Sequence, residues 1–135
     1  MKRPRGSLTG NQYQILQAIW DAGPGGLTVA EIWRALGGER VGTRTTVLNQ
    51  VARLVKRGWL RRRRDGSVFR HLVAVPRDEV DRELAAGFLS DFFGDSPLQA
   101  FSSMLSAGAC GAEELKELRR LVDDALERCD DDGVE

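Results

Sequence analysis

Three helix starts with similar N-terminal capping patterns are the feature that most constrains the fold of this chain. Thr9 and Gln12 have the spacing of a capping box, and Thr28 and Glu31 repeat it. In such a box, side-chain and backbone groups of both residues bond to one another, which fixes the first turn of a helix. Thr43 is a third N-cap residue. The first half of the chain therefore predicts three short helices with well-defined starts.

A hairpin signal follows the third helix, which is predicted to run to Arg57 with Gly58 as the C′ residue that stops it. Asp65-Gly66 separates two segments of strand-forming residues, and this dipeptide is typical of a two-residue hairpin loop. The return segment covers residues 67–75, and Pro76 ends it. Three helices followed by a basic hairpin describe a winged helix-turn-helix domain, which we assign to residues 1–76.

Residues 77–135 predict helices only. Apolar residues recur at helical spacing from 77 to 93, Ser96-Pro97 begins a short helix, and a last helix starts near Gly111. These helices can form a small bundle within one subunit, or they can bury their apolar faces between two subunits. We expect the second arrangement, because the segment is short and no β-structure covers its apolar side chains. The predicted fold class is mainly α with a small β wing, followed by a helical dimerisation domain at 77–135. The residues expected at the dimer interface are Leu84, Phe88, Phe92, Leu115, Leu118, Leu121, Val122 and Leu126.

Charge is divided unequally between the two halves, although the formal net charge of the chain is zero. Residues 1–76 contain fourteen Lys or Arg and four Asp or Glu, a net charge of +10. Residues 77–135 contain six basic and sixteen acidic residues, a net charge of −10. The basic half suits a polyanion such as nucleic acid, whereas the acidic half would be repelled by it.

The third predicted helix has a polar face that contains no acidic residue. Its apolar residues Val47, Leu48, Val51, Leu54 and Val55 share one side of the helix. The other side carries hydroxyls, amides and cations, which are the groups that contact base edges and phosphates. A generally Arg-rich composition is the alternative explanation for the cations. We expect DNA contacts from Thr43, Arg44, Thr45, Thr46, Asn49, Gln50, Arg53 and Lys56, with Arg57 on the same face.

The hairpin adds four consecutive arginines, Arg61–Arg64. Side chains alternate between the faces of a strand, so two of the four can follow the phosphate backbone. We expect Arg62 and Arg64 to do so, with Arg70 of the return strand beside them. These contacts would add affinity and salt dependence rather than sequence choice. Arg3 and Arg5 can reach DNA as an N-terminal arm, although a basic terminus without that role is more common.

The segment TTVLNQVARLVKRGWLRRRRDGSVFRHLVAVPRDE resembles the recognition helix and wing of the penicillinase-repressor family. This family includes bacterial β-lactamase, methicillin-resistance and copper-responsive repressors. The segment LTGNQYQILQAIWDAGPGGLTVAEIWRAL resembles the family's first two helices, and RDEVDRELAAGFLSDFFGDSP and GAEELKELRRLVDDAL resemble its linking and final helices. The resemblance covers about residues 7–128.

The resemblance implies a homodimeric transcriptional repressor whose winged helices bind a palindromic operator in double-stranded DNA. Thr45, Thr46 and Arg53 fall at DNA-facing positions of the family, and Asn49 and Gln50 fall where the family varies. The family commonly has Asn where this chain has Ala52.

Two departures from the family concern regulation. Copper-responsive members carry a C-terminal CxCxxxxCxC metal site, which this chain lacks, so we expect no metal or other cofactor. The β-lactam-responsive members are cleaved at an Asn-Phe bond, and the aligned bond here is Ser103-Met104. Three alternatives are open for the relief of repression: cleavage of this helix by a membrane sensor-protease, binding of a ligand, or no inactivation at all.

An enzymatic function is not indicated by the sequence. The single histidine, His71, lies in the predicted wing, and neither Cys110 nor Cys129 has a neighbouring catalytic partner. No segment is apolar enough for a signal peptide or a membrane span, so we expect a bacterial cytoplasmic protein that associates with the nucleoid through its operator. The alternative function is a winged-helix protein-interaction module that binds no DNA. The acid-free face of the third helix favours the repressor.

Overall fold

The computed structural model describes Pro4 and residues 6–131. Within them there are six α-helices, two short 3-10 helices and one antiparallel two-stranded sheet, which confirms the predicted order of three helices, a hairpin and further helices. Arg3 and Arg5 lie outside the described residues. The elements are α1 (Gly10–Ala22), α2 (Val29–Ala35), a 3-10 helix (Gly38–Val41), α3 (Arg44–Lys56), β1 (Leu60–Asp65), β2 (Val68–Val73), α4 (Arg77–Asp91), a second 3-10 helix (Phe93–Asp95), α5 (Pro97–Ser106) and α6 (Ala112–Asp131).

The starts of the first three helices have the caps that their sequences predict. The Thr9 hydroxyl accepts a hydrogen bond from the Gln12 amide at 3.2 Å, and the Gln12 side chain accepts one from the Thr9 amide at 3.0 Å. The Thr28 and Glu31 pair repeats both bonds, at 3.2 and 2.9 Å. Thr43 caps α3 through its hydroxyl. These bonds satisfy amide groups that the first turn of a helix would otherwise leave unpaired.

The core of the winged-helix unit lies between the three helices and the base of the hairpin. Its side chains come from α1, α2, α3, the entry to β1 and the first turn of α4. Trp59 is buried in this core, whereas Trp20 and Trp33 are only partly buried at its edge. The buried core residues are Ile15, Leu16, Ile19, Ile32, Val47, Val51, Leu54, Trp59, Leu60 and Val80.

The hairpin turns one residue later than the sequence predicts. Asp65 still pairs with Val68 in the ladder, so the two loop residues are Gly66 and Ser67 rather than Asp65 and Gly66. Gly66 has a φ of +64°, in the left-handed region that glycine adopts without strain. Asp65 remains in the strand, where its carboxylate pairs with the Arg70 guanidinium.

The segment before α2 pairs with the wing through a short bridge. The Leu27 amide donates to the His71 carbonyl at 3.1 Å, and the His71 amide donates to the Leu27 carbonyl at 2.7 Å. The chain approaches β2 closely here, because a Cβ on Gly26 would lie 2.5 Å from the His71 carbonyl oxygen. Gly26 also has a φ of +73°, so glycine is required at this position for two reasons.

The chain forms two compact units, the first ending at Ala86 and the second beginning at Gly87. The sequence-based boundary at Pro76 is earlier, and the difference has a physical reason. Val80 of α4 is fully buried in the winged-helix core, and Leu84 packs against that core. Tyr13 donates its hydroxyl to the Asp81 carboxylate at 2.8 Å. The first half of α4 therefore completes the winged-helix unit instead of belonging to the second unit.

The second unit contains the end of α4 together with α5 and α6. The Phe88 ring lies 5.3 Å from that of Phe92 and 5.6 Å from that of Phe93, between centroids. Many apolar side chains of this unit remain exposed, including Leu98 at 81%. No helix among the described residues is both long and apolar enough to cross a membrane.

Candidate nucleic-acid interface

The start of α3 is held by Trp33 of α2. The Trp33 indole donates a hydrogen bond to the Gly42 carbonyl at 2.8 Å, directly before the N-cap Thr43. The Arg44 guanidinium lies 5.0 Å from the centre of the same indole ring, within the range of a cation–π interaction. The Thr43 hydroxyl is 3.2 Å from the Thr46 hydroxyl as well as capping its amide. One tryptophan therefore positions both the backbone and the first cation of the candidate recognition helix.

Most of the residues that the sequence predicts on the outer face of α3 are exposed to solvent. Gln50 is the exception, since it is half-buried and lines a cleft of about 170 Å³ against α1. The sequence predicts Leu48 on the buried side of the helix, but half of its surface is exposed, because it lies at the edge of the apolar stripe. The exposed residues of the predicted set are Thr43, Arg44, Thr45, Thr46, Asn49, Arg53 and Lys56.

Arg57, which the sequence predicts on the outer face of α3, has hydrogen-bond partners within the winged-helix unit. Its guanidinium donates to the Ser7 carbonyl and, at 3.5 Å, to the Gln12 side chain. Gln12 is also part of the α1 capping box, so Arg57 connects the C-terminal end of α3 to the start of α1. The sequence could not identify these partners because they lie far away along the chain.

The two faces of the hairpin have different partners. Alternation along the ladder puts Arg62, Arg64 and Phe69 on one face, with Arg62 opposite His71 and Arg64 opposite Phe69. The Arg62 and Arg64 guanidinium groups lie 4.8 and 5.8 Å from the centre of the Phe69 ring. On the other face, Arg63 donates to the Gly25 carbonyl at 3.1 Å. The predicted division of the four arginines into two pairs therefore matches the register.

Arg70 is on the opposite face from Arg62 and Arg64. Its guanidinium pairs with Asp65 at 2.8 Å and with Glu31 at 3.3 Å, and it donates to the Gly26 carbonyl at 3.3 Å. The Asp65 hydrogen bond and the charge of Glu31 raise the pKa of Arg70. Hydrogen bonds from Thr28 lower the pKa of Glu31, and the charge of Arg70 adds to that effect. The structure thus separates Arg70 from the other residues expected to contact DNA and ties it to α2.

A groove of about 390 Å³ lies between α3 and the wing. Its apolar wall comes from α3, and Lys56 and Arg62 provide its cations. The groove is lined by Leu48, Val51, Ala52, Val55, Lys56, Arg62 and His71. An apolar wall with two cations beside it can accept a ligand that combines negative charge with an apolar group.

His71 closes the inner end of this groove as a buried residue, with 5% of its surface exposed. Its Nδ1 lies 3.3 Å from the Leu27 carbonyl oxygen. Burial lowers the pKa of His71, the contact with Leu27 opposes that shift, and the nearby Arg62 charge adds to it. His71 is therefore a neutral structural residue at neutral pH.

The residues predicted for dimerisation differ in exposure. Leu84 is half-buried against the winged-helix core, and Leu118 is half-buried in α6. Phe88, Phe92, Leu115, Leu121, Val122 and Leu126 are 40–59% exposed. Ser103 and Met104 are both exposed and lie in the second half of α5.

Neither cysteine forms part of a metal site within the described residues, where no cluster of three or more potential ligands occurs. Cys110 and Cys129 are free and half-buried. Burial and the nearby Glu114 carboxylate raise the pKa of the Cys110 thiol, which disfavours its reactive thiolate form.

Comparisons with solved structures identify similar winged-helix regulators. The PcaV transcriptional regulator from Streptomyces coelicolor, solved with its natural ligand, is 22% identical with a TM-score of 0.51, covering 92% of this chain and 78% of its own. The Bacillus licheniformis BlaI monomer, solved with the blaP half-operator, is 19% identical with a TM-score of 0.47, covering 58% of this chain and 93% of its own. Staphylococcus aureus MepR, a regulator of the MepA multidrug efflux pump, is 20% identical with a TM-score of 0.48, covering 90% of this chain and 79% of its own. No curated protein matches the sequence.

A family profile described as penicillinase repressor matches residues 8–124, which is most of the chain. The match includes all three capped helices, the wing and most of the helical second unit. It also bears out the resemblance found in the recognition-helix and wing segments. The chain therefore belongs to the penicillinase repressor family and is a winged-helix transcriptional regulator.

Proposed function

We propose that this protein is a bacterial repressor that binds a palindromic operator as a homodimer. The observation that carries the proposal is the acid-free exposed face of α3 beside the two arginines of the wing. Arg53 and Lys56 provide cations on the helix, and Arg62 and Arg64 provide them on the adjacent face of the hairpin. These groups suit phosphates, while Thr45 and Asn49 suit base edges.

The proposal of a dimer rests on the exposed apolar side chains of the second unit. Phe92, Val122 and Leu126 are each more than half exposed, and a surface with many such residues favours burial against a partner. Two subunits also match the need for specificity, because one winged helix contacts too few base pairs for a unique site. Repulsion between the acidic helices and DNA phosphates opposes nonspecific contact between the second half of the chain and DNA.

The DNA-binding proposal is tested by equilibrium binding to the chain's own promoter DNA at low salt. The wild type is expected to bind, and Arg53→Ala is expected to bind more weakly because it loses a phosphate or base contact. Arg82→Ala is the matched control, since Arg82 is an exposed arginine that pairs with Asp78 on α4. Lack of wild-type binding would refute the repressor and favour a protein-interaction module. Equal affinity of wild type and Arg53→Ala would refute the assignment of the α3 face.

The dimer is tested by analytical ultracentrifugation of the full chain. The double variant Val122→Asp/Leu126→Asp is expected to be monomeric, because two carboxylates would be desolvated at the proposed interface. Val68→Asp is the control, since Val68 is a similarly exposed residue on the wing. A monomeric wild type, or a double variant that stays dimeric, would refute the interface.

We also propose that cleavage in α5 relieves repression, with a membrane sensor-protease as the partner. Ser103 and Met104 are exposed, which leaves their peptide bond accessible once the helix opens locally. Cleavage there would separate α6 from the DNA-binding unit and so weaken the dimer. Immunoblotting of cells exposed to a cell-wall antibiotic is expected to show a fragment ending near Ser103. An intact chain during full induction of the target gene would refute this route.

A further inference from the structure

Leu48 is an exposed apolar side chain at the boundary between the apolar stripe and the polar face of α3. Half of its surface is accessible to solvent, whereas Val47, Val51 and Leu54 of the same helix are buried in the core. Leu48 and Ala52 are one turn apart on the same side of the helix, so their side chains are neighbours. Together they form the outer part of the apolar wall in the groove between α3 and the wing. The winged-helix fold does not require either side chain to be apolar.

The surroundings of this apolar pair indicate what covers it. Lys56 follows on the same helix and Arg62 comes from the wing, and both line the groove. Thr45 and Asn49 are exposed on the adjoining face. An apolar surface bordered by cations complements a ligand whose apolar group is bordered by negative charges. In the major groove of DNA, the apolar group that lies between phosphate backbones is the C5-methyl of thymine.

We propose that Leu48, supported by Ala52, selects thymine in the operator by contact with its C5-methyl group. The inference rests on the proposed DNA-binding function and adds a specificity determinant to it. The Cα atoms of Leu48 and Ala52 are separated by about 6 Å along the helix axis. The two side chains therefore present one short apolar surface on the outer side of α3. Lys56 and Arg62 hold the flanking phosphates and thereby fix the depth of the helix.

Deoxyuridine provides a direct probe, because it differs from thymidine only by the missing methyl group. Its hydrogen-bonding groups in the major groove are unchanged, so hydrogen-bonded readout is preserved. A duplex is first selected by the wild type from a random-sequence library, and each thymine is then replaced singly by deoxyuridine. Fluorescence anisotropy at constant salt measures the dissociation constant of each duplex.

We expect one thymine in each half-site at which deoxyuridine weakens wild-type binding about three- to fivefold, the ratio expected for one buried methyl group. Leu48→Ala should bind the thymine duplex more weakly and should bind the thymine and deoxyuridine duplexes equally. Leu48→Met should retain the preference, because it restores apolar contact at similar volume. Val68→Ala is the matched control, since Val68 is 44% exposed on the opposite face of the wing.

Three outcomes would overturn the inference. Wild-type affinity that does not change with any deoxyuridine substitution would exclude methyl recognition while leaving DNA binding intact. A Leu48→Ala variant that keeps the full thymine preference would exclude Leu48 as its source. Failure of the wild type to select any duplex would overturn the proposed function, and this inference with it. Circular dichroism and thermal unfolding establish that each variant is folded.

Discussion

Replacing Trp33 by Phe tests whether α2 determines the position of the recognition helix. The substitution deletes the hydrogen bond from the indole to the Gly42 carbonyl but keeps an aromatic ring beside Arg44. The lost hydrogen bond contributes about 0.5–1.5 kcal/mol. The cation–π interaction contributes about 0.5–1 kcal/mol at an exposed site, and phenylalanine retains only part of it. We therefore expect the free energy of unfolding to fall by about 0.5–2 kcal/mol.

Urea denaturation of the full chain, followed by circular dichroism, measures this loss. For a unit of this size, a loss of about 1 kcal/mol in the free energy of unfolding also lowers the melting temperature by about 4–8 °C. Because Trp33 holds the backbone before the N-cap Thr43, operator affinity should fall as well, even though Trp33 is not expected to touch DNA. Trp20→Phe is the matched control, because the Trp20 ring packs with Tyr13 and Arg77 rather than at the start of α3.

A double-mutant cycle with Arg44→Ala separates the two contributions of Trp33. If the ring positions Arg44, the loss of operator affinity in Trp33→Leu and that in Arg44→Ala should be less than additive. Additive losses would contradict the positioning of Arg44. A Trp33→Phe variant with wild-type stability and wild-type operator affinity would refute the entire argument.

Three further predictions concern the wing and the core. Arg62→Ala should weaken DNA binding and reduce the slope of log affinity against log salt by about 1. Arg70→Ala should leave that slope unchanged but lower the free energy of unfolding, because Arg70 pairs with Glu31. A change of slope in Arg70→Ala as large as that in Arg62→Ala would contradict the separation of the two faces. Burial lowers the pKa of His71, so the unfolded chain binds its proton first and stability should fall as the pH drops below about 6.5. Urea titrations between pH 5 and 8 should show a smaller decline for His71→Gln, and an identical decline would exclude His71 as its cause. Leu54→Ala removes a fully buried side chain and should cost about 2–5 kcal/mol of unfolding free energy in urea titrations, and a loss below 1 kcal/mol would show that the core relaxes around the cavity.

Features that depend on neighbouring residues could be predicted from the sequence. The helix starts at Thr9, Thr28 and Thr43 follow from capping bonds that reach only three residues along the chain. The alternation of Arg62 and Arg64 with Arg61 and Arg63 follows from the geometry of a strand. The hairpin loop lies one residue later than the sequence predicts, because Asp65 still pairs with Val68 in the ladder.

Features that depend on distant residues could not be predicted in this way. Glu31 reaches Arg70 only after the wing has folded against α2, so the sequence does not indicate this ion pair. Val80 is buried by residues from the first half of the chain, a contact that the local sequence around Pro76 does not indicate. Leu48 lies at the margin of the apolar stripe, where helical periodicity does not determine whether a side chain is covered.

The capping carboxylate of Glu31 also affects the thermodynamics of recognition. Its Oε1 atom accepts hydrogen bonds from the Thr28 amide at 2.9 Å and from the Arg70 guanidinium at 3.3 Å, so one oxygen links the first turn of α2 to the wing. The Leu27–His71 bridge adds two backbone hydrogen bonds beside it. These bonds fix the orientation of the wing before any ligand binds. Less conformational entropy is then lost on association, so more of the contact energy of the wing would appear as binding affinity.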